Sequence, residues 1–128
     1  MKLLFLLLSS LLLCSFTKDD ATIVGRWKAT LPGDINLTFN FREDSTFETT
    51  VNKKLYSVGK YTYTDSVCTL VEDNGCRKDD GSYVKGVYKI TFPAWDSIQF
   101  EAIQDSCSGR RQGLNHLKLS KIEKAISQ

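Results

Sequence analysis

Eight short stretches of alternating apolar and polar residues, recurring about every ten residues between turn-forming clusters, constrain this chain more than any other feature. Residues 35–42 are the clearest case. Leu37, Phe39 and Phe41 fall on one face, and Asn36, Thr38 and Asn40 on the other. Successive side chains of a strand point to opposite sides, so this pattern describes a half-buried strand. The other stretches are residues 23–31, 46–51, 55–64, 67–71, 82–92, 97–104 and 114–120, rich in Thr, Tyr, Phe and Val. Leu31-Pro32-Gly33-Asp34, Glu43-Asp44-Ser45, Asn52-Lys53-Lys54 and Pro93-Ala94-Trp95-Asp96 are turn sequences. Residues 72–81 form the longest polar loop. Gly59 and Gly86, inside long stretches, are expected at bulges or bends. No linker, repeat or helical period interrupts the series. Sequential antiparallel strands of this kind build a sandwich or an up-and-down barrel. Closure removes exposed edges, and internal glycines permit the bending it needs. The expectation is an all-β domain over residues 18–120, a small eight-stranded antiparallel up-and-down barrel. Residues 121–128 are expected to be a frayed or disordered tail.

Residues 1–17 predict a cleaved secretory signal peptide. Met1-Lys2 precedes an apolar run through Cys14, and Ser15 and Thr17 place small residues at the cut. A membrane-spanning helix needs roughly 20 apolar residues, and Lys18-Asp19-Asp20 ends this run first. The chain is therefore expected to be secreted and extracellular, with no transmembrane segment. Were the source bacterial, it would be periplasmic, or lipid-tethered through Cys14. Bulky Leu13 before that cysteine argues against the tether.

Charge excludes one class of partner. The chain has 17 Lys and Arg against 15 Asp and Glu, a net charge of +2. The basic residues are scattered, with no stripe interleaved with aromatics, so no nucleic-acid partner is expected. Loss of Cys14 with the leader leaves Cys68, Cys76 and Cys107. Export favours a disulfide, and an odd count leaves one thiol over or pairing between chains. Asn36-Leu37-Thr38 is a glycosylation sequon, meaningful only in a eukaryote.

Gly25-Arg26-Trp27 opens the first strand, a few residues after the leader. Here the chain resembles the calycin superfamily, the lipocalins and their small relatives, whose first strand opens with Gly-x-Trp. Further on, Gly86-Val87-Tyr88, then residues 96–100, then Asp105-Ser106-Cys107-Ser108-Gly109-Arg110 resemble a group of short exported lipocalin-like proteins. The resemblance implies that Trp27 plugs the closed end of the barrel. It also implies that an arginine near the last strand, Arg110 or Arg111, packs over the indole as a cation–π cap. It further implies a disulfide between Cys76 and Cys107. In an up-and-down order those two cysteines lie in loops at the same end of the barrel. Cys68–Cys76, closing a shorter loop, is the alternative, and a buried free thiol is the plain reading of Cys68. The chain lacks a Thr-Asp-Tyr-type motif and is shorter than a typical lipocalin.

Catalysis finds little footing. His116 is the single histidine, and no nucleophile elbow, zinc motif or phosphate-cradling loop is present. No cofactor or metal is expected. Glu72, Asp73, Asp79 and Asp80 concentrate carboxylates, but their spacing fits no EF-hand. The leading expectation is a monomeric binding protein for a small hydrophobic molecule held in the barrel. Its lining candidates are Trp27, Phe39, Phe41, Phe47, Tyr61, Tyr63, Tyr88 and Phe100, with Leu37, Val51, Ile90 and Ile98 also inward. Two alternatives stand beside it. One is a protein-interaction module such as a protease inhibitor that uses residues 18–22. The other is an extracellular structural component with a filled barrel.

Overall fold

A computed structural model of the protein describes residues 22–122. The expected leader, Cys14 and most of the expected tail lie outside those residues. The strands are β1 (Gly25–Leu31), β2 (Ile35–Phe41), β3 (Thr46–Val51), β4 (Lys54–Thr64), β5 (Val67–Glu72), β6 (Gly86–Ala94), β7 (Ser97–Gln104) and β8 (Lys118–Lys121). Each pairs antiparallel with its neighbours in sequence, and β8 returns to β1 to close the barrel. The expected all-β, eight-stranded up-and-down architecture is what the chain adopts.

Alternation decides which side chains enter. Trp27, Phe39, Phe41, Phe47, Tyr61, Cys68, Leu70, Tyr88, Ile90, Ile98, Phe100 and Leu119 are buried inside. Their outward neighbours are polar, among them Lys28, Thr38, Asn40, Glu48, Lys60, Lys89 and Glu101. This polarity is the reverse of a membrane-spanning barrel, whose outer face is apolar. Among the described residues no helix is long and apolar enough to cross a membrane.

The hairpins follow turn chemistry. Val51 pairs with Lys54 and Thr64 with Val67, so two residues make each turn. Asn52 and Lys53, then Asp65 and Ser66, all have φ between 50° and 68°. Two consecutive left-handed residues are the signature of the type I′ turn, whose twist matches the flanking strands.

Three local expectations need correction. Gly59 is not at the bulge. The β3–β4 register shifts between Thr49 and Thr50, which leaves Tyr56 as the extra residue. Gly59 instead allows a close crossing: a Cβ there would sit 2.0 Å from the Val71 carbonyl oxygen and 2.9 Å from the Glu72 Cα. Both neighbours are backbone, so a Gly59→Ala variant should lose at least ~1–3 kcal/mol, read as a lowered urea midpoint. The sixth strand begins at Gly86 rather than at residue 82. Residues 82–85 belong to the preceding loop, where Arg77 bridges Tyr83. The last stretch is shorter than expected. Residues 108–114 form a helix, α1 (Ser108–Leu114), and β8 runs only from Lys118 to Lys121. Lys121, expected in the tail, is thus in the barrel wall, and the Ile122 N–H donates to the Arg26 carbonyl.

Candidate functional site

The first candidate is the barrel interior, and its own side chains occupy it. Phe39 on β2 meets Phe100 on β7 at 5.6 Å between ring centroids, a contact across the barrel. Phe41 meets Tyr61 at 4.9 Å, Phe47 at 6.2 Å and Phe100 at 6.5 Å. Tyr88 meets Phe100 edge-on at 5.9 Å. These are the separations of rings in contact. Of the eight lining candidates, seven are buried in this cluster, and Tyr63 is half-buried against it. An eight-stranded barrel is just wide enough for side chains to fill. Farther up the interior, Thr49 and Ser57 are buried and satisfy each other, with hydroxyls 2.5 Å apart.

One end is closed by Trp27. Its indole is 1 % exposed and its Nε1 donates to the Ile23 carbonyl at 2.8 Å. The cation over the ring is neither Arg110 nor Arg111. It is Lys121, with Nζ 5.9 Å from the ring centroid. The arginines lie beyond the far ends of β6 and β7, so the expected cap is replaced by a lysine from the last strand.

Arg110 locks the opposite end. Its Nε and Nη2 donate to the two carboxylate oxygens of Asp105 at 2.7 and 2.8 Å. Nη2 also donates to the Val84 carbonyl at 3.0 Å. The Tyr88 hydroxyl donates to the same carboxylate, as does the Cys107 N–H. Arg110 Nη1 is buried without a hydrogen bond, 3.8 Å from Glu72. Gly86 makes room for the group: a Cβ there would lie 2.8 Å from Arg110 Nε and 2.8 Å from Asp105 Oδ2. The disulfide between Cys76 and Cys107, Cα atoms 5.7 Å apart, ties the long loop to the segment carrying Arg110. Cys68 is the buried free cysteine, its thiol pushed up to about 12 by burial.

The network sets a pH dependence. Burial opposes the charge on Asp105, but the hydrogen bonds from Arg110, Tyr88 and Cys107 outweigh it and hold the carboxyl below its ordinary value. Its contribution is complete above the unfolded value, about 3.9, and is lost as pH falls through the lower folded one. Glu72 is shifted the other way: burial raises it above 4.5 despite Arg110. Acidification from neutrality should therefore first stabilise the fold slightly as Glu72 protonates, then destabilise it as Asp105 does. Urea midpoints between pH 7 and pH 2 will show this, and Glu72→Gln should remove the early rise.

A second candidate lies outside, on the seam. β8 pairs with β1 at Trp27↔Lys121 and Lys28↔Ser120, and there the pairing stops. Above it is a cleft of about 530 Å³ lined by Lys28, Ala29, Thr30, Leu31, Asn36, His116, Leu117, Lys118 and Ser120. Bonding directions follow from alternation. Arg26 accepts from Ile122 across the seam, so Lys28 and Thr30 also turn their N–H and C=O groups toward β8. Asn36, the β2 neighbour of Thr30, directs its backbone to Asn52 instead. The next ladder pair would be Thr30 with Lys118. An adjoining cleft, lined by Ser108, Arg111, Gln112, Asn115 and His116, meets the first at His116. Among the described residues neither lining contains a carboxylate. Glu101, outside both linings, pairs with His116 Nδ1 at 2.7 Å.

Of the remaining sequence candidates, Asn36 lines the seam cleft. It is exposed at the start of β2. Asp80 accepts from the Ser82 N–H and hydroxyl, as a turn does. The seam had no signal in the sequence, because it arises from where a register ends. No family model and no curated protein matches the chain.

Proposed function

We propose that this protein is an exported interaction module, a small calycin-like barrel that recognises its partner with its outer surface. The observation that carries the reading is the aromatic contact from wall to wall, Phe39 to Phe100 at 5.6 Å, inside a barrel closed at both ends. The lining candidates are then the hydrophobic core. Trp27 and Lys121 cover one end, and the Arg110 network covers the other. The Cys76–Cys107 disulfide is compatible with an oxidising compartment. Recognition is left to loops and strand edges, where function commonly concentrates on rigid scaffolds. The barrel is a scaffold without catalytic chemistry of its own.

A displacement titration with a fluorescent fatty acid tests this reading. In a Trp95→Phe variant, which leaves Trp27 as the single tryptophan, the expected result is no saturable binding and no change in Trp27 emission. One-to-one binding that quenches Trp27 would return the protein to the class of interior carriers.

A further inference from the structure

We infer that the open seam between β1 and β8 is a docking slot for an extended peptide carrying carboxylate side chains, which enters as an added strand. This rests on the reading of the protein as an interaction module and names the surface it uses.

Backbone geometry makes the slot. The barrel wall is continuous as far as Lys28↔Ser120, and the pair that would follow, Thr30 with Lys118, does not form. Thr30 therefore presents an N–H and a C=O from one side, and Lys118 presents the same groups from the other. A strand laid against Thr30 would extend the β1 ladder, with Lys118, the first residue of β8, able to bond it from the other bank. Such strand addition draws affinity from main-chain hydrogen bonds and specificity from alternate side chains. The space of about 530 Å³ is of the size that small ligand sites have. Its inner wall is apolar, formed by Ala29, Leu31 and Leu117.

Charge selects the occupant. Lys28 and Lys118 are exposed on the two banks, and Arg111 extends the basic surface into the adjoining cleft. With Glu101 already engaged by His116, the lysines have no carboxylate within the slot among the described residues. An added strand alternates its side chains, so acidic residues on its outward face would meet Lys28 and Lys118 while apolar ones turn inward. A second copy of this chain is a poorer occupant. Edge-to-edge pairing would bring the same lysines together, and β1 is followed directly by Pro32, which has no N–H to offer.

The test uses the intact exported chain and a random-peptide phage library as probe. The expected result is enrichment of peptides that alternate acidic with apolar residues. Their binding should weaken with added salt and shift the Thr30 and Lys118 amide signals. Thr30→Pro removes the N–H that faces the slot. Lys118→Glu reverses one bank and leaves the backbone alone. Each should reduce affinity at least about tenfold, and Lys118→Glu keeps the test valid should the proline variant fold poorly. Failure to enrich any peptide would overturn the inference, as would binding insensitive to both variants. Saturable fatty-acid binding in the interior would overturn the reading beneath it, which keeps the two failures distinct.

Discussion

Arg110→Ala should destabilise the protein by ~3–5 kcal/mol, the effect of leaving a buried carboxylate without its partner. Asp105 has its whole side chain inside the rim, and Arg110 supplies two of its hydrogen bonds. Without the guanidinium, Tyr88 and the Cys107 N–H alone face the carboxylate, and the Val84 carbonyl loses its donor. For a domain of this size each kcal/mol moves the Tm by about 4–8 °C, so thermal unfolding followed by circular dichroism should fall by roughly 15–30 °C. Arg110→Lys should restore little. An ammonium cannot span both carboxylate oxygens and the Val84 carbonyl in one plane. Removing both charges together, as Asp105→Asn with Arg110→Met, should cost less than the sum of the single changes. That non-additivity is the mark of a coupled pair. A Tm within a few degrees of the parent for Arg110→Ala would mean that the rim is held by other contacts.

Removing the disulfide as Cys76→Ser with Cys107→Ser should be nearly as damaging. The bond closes a sequence separation of 31 residues, for which the chain-entropy relation gives ~3–4 kcal/mol. Urea unfolding with and without reductant measures this directly. Cys68 provides an internal control. It is buried with its thiol pushed up to about 12, so it should stay inert to thiol reagents until the barrel unfolds. Cys107 lies three residues before Arg110, and both fix the segment that leads into α1. The disulfide variant and Arg110→Ala should therefore be less than additive, because either one frees the same strap.

The barrel was legible because it is written in a short period. Leu37, Phe39 and Phe41 against Asn36, Thr38 and Asn40 needed only alternation to be assigned, and alternation is local. What sequence reading missed was non-local. α1 contains Gly109 and Gly113 in seven residues, and no side chain caps its N-terminus. Its helical propensity is poor, and it forms because Cys107 and Arg110 are anchored at its start. The role of Arg110 is hidden from the sequence for a similar reason. The resemblance to lipocalins directs an arginine toward Trp27, whereas the geometry brings Asp105, five residues earlier, onto the guanidinium, and Tyr88, a full strand away, onto that carboxylate. Asp105 immediately before the Cys107 region was the one local hint. Gly59 and Gly86 stand out in the sequence as glycines inside long stretches, but the cause is crowding against Val71 and Arg110 rather than bulging. Bulges instead expose Tyr56 and Ile103, each the extra residue where a register shifts. The seam depends on where the β1–β8 ladder ends, a tertiary fact that no run of residues announces.

The reading of this protein as an outward-facing module depends on one physical claim, that the interior is filled by its own rings. Xenon pressurisation of a crystal tests it most directly, since xenon enters dry apolar cavities. The expected result is an interior without bound xenon, with Phe39, Phe47 and Phe100 unmoved. A well-occupied xenon atom among those three rings would contradict the claim and make the barrel a container after all.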